Sequence, residues 1–159
     1  MTGVFGKLPV AGDFVARGLA PGQRARVDAW LTRHLAEAAR WPERWPAEGL
    51  YALIDVEAPL LLLVVPSCDA AGRAFPLAAV VPGDAITQAG AERWGAAVLP
   101  HLDRATEGLC DAGELAGALT VALEDEPGEG GPPLVPPLVW ARGRAPVGPE
   151  TLAALMPSG

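Results

Sequence analysis

The chain is predicted to fold as a mixed α/β domain, with a partly antiparallel sheet and helices packed against it. Three observations predict this. Leu60–Val65 and Phe75–Val81 are short runs apolar on both faces, as strands in a covered sheet are. The connection between them, Pro66–Arg73, is too short for a parallel crossover, so the pair is expected to be an antiparallel hairpin. Val27, Trp30, Leu31, His34, Leu35 and Ala38 recur at three- and four-residue intervals and form the apolar stripe of a helix.

The remaining elements follow in order. Val4 to Leu8 reads as a short strand ended by a turn at Pro9 and Gly12-Asp13. Pro21 opens the striped helix, because proline costs no intrahelical donor in the first turn, and Pro42 limits it. Trp41-Pro-Glu-Arg-Trp-Pro46 is a loop, and Leu50 to Val56 reads as a strand preceding the central one. Ala85 to Thr106 is helical in pattern but contains Pro100, which predicts a kink or two helices. Asp111 caps a further helix running to about Glu124, with Leu115, Leu119 and Val121-Ala122 on its buried side. Residues 124–133 are acidic, Gly-rich and Pro-rich and are expected to form a mobile loop. Leu138 to Ala141 makes a last strand, and Glu150 to Leu155 a terminal helical turn or two. No internal repeat is present, and the 159 residues are expected to form a single domain over 1–159.

Composition removes several function classes. Half the residues are hydrophobic and mean hydropathy is +0.25, so core material is ample. The 17 prolines and 19 glycines favour many turns between short elements over a helical bundle. A net charge of −7 repels nucleic-acid phosphates, so no nucleic-acid partner is expected. The longest apolar run, Ala58 to Pro66, is about half a membrane span, and the N-terminus lacks a signal-peptide pattern. A soluble, cytoplasmic protein without membrane insertion is expected. Cys68 and Cys110 lack metal spacing; they can pair, but two buried thiols in a reducing compartment is the preferred reading.

Catalytic templates fail one by one. A serine nucleophile needs a histidine beside it, and Ser67 sits in a turn while His34 and His101 lie on predicted helices. Asp69 beside Cys68 lacks further ligands for a metal. Gly3-x-x-Gly6-Lys7 has no hydroxyl after the lysine and no long helix immediately following it, so it is no phosphate cradle. No cofactor is implied. What stands out is charge in turns: Asp13, Arg17, Asp69 and Arg73, with Arg73 free to pair with either aspartate. These charges either lock a corner of the fold or form a polar patch for a partner, and the locking role is preferred. Of the five tryptophans, Trp30 and Trp94 fall in apolar stripes, whereas Trp41 and Trp45, in a Pro-bounded loop, are candidates for a partner-facing surface.

Three segments resemble the TagF/ImpM family of type VI secretion accessory proteins. The first is Phe5-Gly-Lys-Leu-Pro-x-x-Gly-Asp-Phe-Val-x-Arg-Gly-Leu19, the second Asp28-Ala-Trp-Leu31, and the third Pro66-Ser-x-Asp-x-x-Gly-Arg-x-Phe-Pro-Leu77. Lys7, Asp13, Arg17, Ser67, Asp69 and Arg73, the charged and polar positions of the first and third motifs, join Trp41 and Trp45 as candidate partner-binding or motif residues. The resemblance implies a three-layer α/β/α sandwich and a cytoplasmic accessory protein that is not an enzyme. It further implies a post-translational repressor of type VI assembly, working through type VI secretion components alongside a forkhead-associated scaffold protein. Two other classes compete with that expectation. One is a small hydrolase or phosphoryl-handling enzyme using Asp69, Ser67 and Asp13; the other is a scaffold subunit built permanently into a larger complex.

Overall fold

The computed structural model describes residues 2–122 and 131–156. Strands β1 (Gly3–Gly6), β2 (Val15–Arg17), β3 (Leu50–Ile54), β4 (Leu60–Val65), β5 (Leu77–Pro82) and β6 (Leu138–Trp140) form one sheet in the order β2-β1-β5-β4-β3-β6. Among the described residues three α-helices accompany it: α1 (Pro21–His34), α2 (Gln88–Thr106) and α3 (Ala112–Ala122). Short 3₁₀ segments occupy Ala38–Arg40, Pro42–Arg44 and Pro149–Leu155.

Every strand pairing is antiparallel, which corrects the expectation of a mixed sheet. The reason lies in the connections. Hairpins join β3 to β4 and β4 to β5. Of the two helical connections, β2 to β3 through α1 joins strands that run in the same direction but have β1, β5 and β4 between them, and β5 to β6 through α2 and α3 joins strands that run in opposite directions, so no parallel pair is hydrogen-bonded.

Alternation along the strands divides the core in two. Tyr51, Leu53, Leu61, Leu63, Leu77 and Ala79 face Val98, Leu102, Leu115 and Leu119 of α2 and α3. Leu50, Ala52, Ile54, Leu62, Val64, Ala78 and Val80 face Val27 and Leu31 of α1, with Trp45 and Leu155. This is why β4 reads Leu-Leu-Leu-Leu-Val-Val without alternation: both of its faces are covered.

The boundaries depart from expectation in physically readable ways. The first strand stops at Gly6, because that residue takes φ +143° and a Cβ there would meet the Pro76 carbonyl; Lys7 and Leu8 already belong to the turn. β2, Val15–Arg17, was not expected as a strand, and it pairs Val4 with Arg17 and Gly6 with Val15. The striped helix ends at His34, and Ala38 belongs to a 3₁₀ turn. α2 runs through Pro100 as one helix; Ala96 and Pro100 are both exposed, so water can bond the carbonyl that proline leaves without a donor. Asp111 caps α3 as expected, in a reciprocal box: Oδ1 accepts from the Glu114 amide at 2.8 Å, and Glu114 Oε1 accepts from the Asp111 amide at 3.0 Å. Of the stretch expected to form a mobile loop, 124–130 lies outside the described residues and 131–133 is exposed.

Candidate functional site

The turn after β1 and the turn after β4 meet at one corner of the sheet, because β1 pairs with β5 and β5 with β4. Ser67 Oγ donates to the Lys7 carbonyl at 2.7 Å, and the Ala70 amide donates to the Ala11 carbonyl at 2.8 Å. Asp69, only 2% exposed, is the hub. Its Oδ1 accepts from the amides of Ala71 (3.0 Å) and Arg73 (2.9 Å). Its Oδ2 receives the Arg73 guanidinium (Nε, 2.7 Å) and the Lys7 ammonium (Nζ, 3.2 Å). Arg73 continues to the Gly12 carbonyl at 3.1 Å, tying the internal turn back to the N-terminal one.

The electrostatics follow from this geometry. Burial works to raise the Asp69 pKa, but the Arg73 amide, the Lys7 and Arg73 cations and the Ala71 amide outweigh it and bring it down to about 2. The carboxylate therefore stays ionised throughout the neutral range and is saturated with donors. Above it, Phe14 stacks on Phe5 (centroids 5.7 Å apart) and meets Phe75 edge-on (4.9 Å), with Lys7 Nζ 5.0 Å from the Phe14 centroid.

Of the residues singled out in sequence, Lys7, Ser67, Asp69 and Arg73 are brought together. Asp13 lies in the neighbouring turn, but its carboxylate accepts from the Phe14 amide (2.7 Å), and Arg73 pairs with Asp69. Arg17 is exposed on β2, opposite Val4. Trp45 is corrected from a partner-facing candidate to a core residue: it is 5% exposed and its indole donates to the Ala38 carbonyl at 2.9 Å. Trp41 is 43% exposed, with the guanidinium groups of Arg40 and Arg44 at 5.9 and 5.2 Å from its ring. Trp30 and Trp94 are partly buried against the two clusters. Both cysteines are free and half-buried.

Two features combine residues far apart in sequence, and only Trp41 among them is marked locally. A groove of about 600 Å³ opens beside Trp41, between the end of α1 and the Pro149–Leu155 segment. At the β6 end of the sheet, Glu92 Oε2 accepts from the Trp140 indole (3.1 Å), Gln88 (3.0 Å) and the Gly143 amide (3.0 Å), while Tyr51 stacks on Trp140. Glu92 and Trp140 are 48 positions apart, and nothing near either one announces the other. Among the described residues no group of three or more His, Cys, Asp or Glu side chains is placed to hold a metal, and no helix is long and apolar enough to cross a membrane.

Comparison with known proteins agrees with the corner motifs. No curated protein matches the chain. Among solved structures, that of PA0076 from Pseudomonas aeruginosa PAO1 is similar in fold, with a TM-score of 0.62 and 23% identity over 98% of this chain and 76% of that one. Residues 3–120, which include both corner motifs, match the family described as TagF N-terminal domain, type VI secretion system-associated. The chain therefore belongs to the TagF N-terminal domain family of type VI secretion-associated proteins.

Proposed function

We propose that this protein is a cytoplasmic accessory factor that restrains type VI secretion post-translationally, by binding a component of the apparatus and not by turnover. The observation that carries the choice of binding over catalysis is the saturation of Asp69. A general base or nucleophile needs a free lone pair facing substrate, whereas both oxygens of this carboxylate are engaged by cations and amides. Ser67 spends its proton on the Lys7 carbonyl, and Asp13 is taken up by the Phe14 amide, so the residues of the hydrolase reading are each occupied structurally. The partner is a type VI secretion component, with a forkhead-associated scaffold protein as the first candidate. The arrangement of α1 on one sheet face and α2 with α3 on the other supports a three-layer α/β/α reading of the fold.

Deletion of the gene in its native cell tests the proposal. Effector secretion and sheath assembly are expected to rise, and re-expression of the wild-type chain to suppress them. Unchanged secretion and assembly in the deletion strain would overturn the regulatory reading.

A further inference from the structure

The two edges of the sheet end differently. On the outer side of β6, Val139 exchanges backbone hydrogen bonds with Val147, at 2.8 and 2.9 Å, so the chain itself covers that edge. β2 pairs with β1 alone and is the open edge. Alternation along the ladder fixes what this edge presents. The Lys7 amide donates toward β5, to the Pro76 carbonyl at 3.3 Å, so Val4 and Gly6 turn their peptide groups to Arg17 and Val15 of β2. The amide and carbonyl of Ala16 therefore point away from the sheet. The Phe14 carbonyl joins them, because Phe14 continues the strand by one residue, its ring stacked on Phe5 and lying under the Lys7 ammonium.

An open edge of this kind is a template for one more strand. We propose that the strand is β2 of a second copy, paired antiparallel about a two-fold axis so that the sheet continues from one protomer into the other. The order of residues selects this occupant. Asp13-Phe-Val-Ala-Arg17 is self-complementary about Val15: laid antiparallel on itself, it sets Asp13 opposite Arg17, Phe14 opposite Ala16 and Val15 opposite Val15. This register also has the right parity, because Phe14 and Ala16 direct their peptide groups outward and become the hydrogen-bonded pair. Asp13 and Arg17 are both exposed, and among the described residues neither enters an ion pair within its own chain. On pairing, Asp13 exchanges its bond to the Phe14 amide for the Arg17 guanidinium of the second copy, and that amide takes the Ala16 carbonyl. The Phe14 ring, 39% exposed, gains a small alanine across the axis and so has room to lie over the joined strands. An unrelated strand must supply the complementary charges in the right order, whereas a second copy does so by symmetry. β2 is only three residues long, so the dimer is reversible and micromolar.

Sedimentation equilibrium of the purified full chain at neutral pH tests this. Wild type is expected to pass from monomer to dimer over the micromolar range. Arg17→Asp and Asp13→Arg each set like charges opposite one another, and each should weaken the dimer at least about tenfold while keeping the wild-type circular dichroism spectrum. The double exchange Asp13→Arg/Arg17→Asp restores opposite signs and should restore the dimer. Cross-linking reads the register without altering any charge pair. In a chain whose Cys68 and Cys110 are replaced by serine, Val15→Cys should form an intermolecular disulfide on mild oxidation, because residue 15 faces itself across the axis. Arg17→Cys in the same background should not, since its own copy lies too far along the strand. A chain that stays monomeric up to about 200 μM overturns the proposal, being weaker than any specific interface of this kind. A dimer that both single reversals leave intact, a folded double exchange that stays monomeric, or a cross-link through position 17 and not 15 overturns it equally. The pairing is independent of any type VI component, so its failure leaves the regulatory proposal standing.

Discussion

The Lys7 ammonium and the Asp69 carboxylate meet at 3.2 Å, one from the turn that ends β1 and the other from the turn that follows β4. Neither is common in a buried setting, and each is tolerable because the other is there. The pair, with Arg73, converts two separate sequence motifs into a single locked corner. Removing one partner leaves the other charge buried without compensation. Asp69→Ala is therefore expected to lower the thermal midpoint by roughly 5 °C or more, as read by circular dichroism. An unchanged midpoint would show that the corner contributes nothing to the fold.

The same carboxylate sets a dependence on acid. Its folded pKa is held at about 2, below its ordinary 3.8, so the stability it contributes is present in full above that ordinary value and is lost as pH falls from about 4 through 2. Chemical denaturation at pH 2.5 and pH 5 should show wild type losing part of its stability in this window. Asp69→Asn should lose less between the same two pH values, because its amide does not titrate. An equal loss in both proteins would assign the acid sensitivity to other carboxylates.

Which parts of this arrangement were legible beforehand follows from range in sequence. Asp69 and Arg73 lie four residues apart, and their turn could be read directly; that Lys7 closes onto them depends on β1 pairing with β5, which no local pattern carries. β2 carries no strand signal in the sequence, because three residues, Val-Ala-Arg, hold too little alternation. The expected mixed sheet gives way to an antiparallel one because β2 and β3, which do run in the same direction on either side of α1, have β1, β5 and β4 between them, an insertion that no local pattern shows. Pro100 pointed to a kink because sequence alone did not show that it faces water. The groove was legible only as Trp41; its opposite wall comes from residues 149–156, brought near through the sheet.

Trp41 and Trp45 share one Pro-bounded loop and look alike in sequence, yet the two 3₁₀ turns direct one ring outward and the other into the core. Trp45→Ala is expected to cost about 3–5 kcal/mol of unfolding free energy, since it empties a large buried volume. Trp41→Ala should cost clearly less, about 1 kcal/mol, through its half-exposed packing and the guanidinium groups of Arg40 and Arg44 against its ring. Urea titrations of the two variants measure this, and similar losses from both would show that Trp41 is packed as tightly as Trp45.

Gly95 on α2 lies directly against Tyr51 of β3. A Cβ added there would fall well inside contact distance of the tyrosine ring and hydroxyl, on a helix pressed to a covered sheet. Gly95→Ala gains helix propensity but forces α2 off β3, and overpacking of this kind costs about 1–3 kcal/mol. A net gain in stability would mean that the ring yields without cost.

Tyr51 is also the only tyrosine of the chain, so its ionisation can be followed by absorbance without interference from another phenol. Burial raises its pKa first and foremost; the Arg142 charge opposes that rise and Glu92 adds to it, leaving the phenol at about 12. Ionisation in the folded protein should therefore be delayed to about pH 12, and in denaturant it should return to about 10. Because the folded state holds this proton more tightly, the stability it contributes is complete below pH 10 and is lost as pH rises through 12. Tyr51→Phe should remove that alkaline loss and leave stability flat across the interval so far as this group is concerned. A folded-state titration near pH 10 would place the hydroxyl in water and break the link between Tyr51, Trp140 and Glu92 at this end of the sheet.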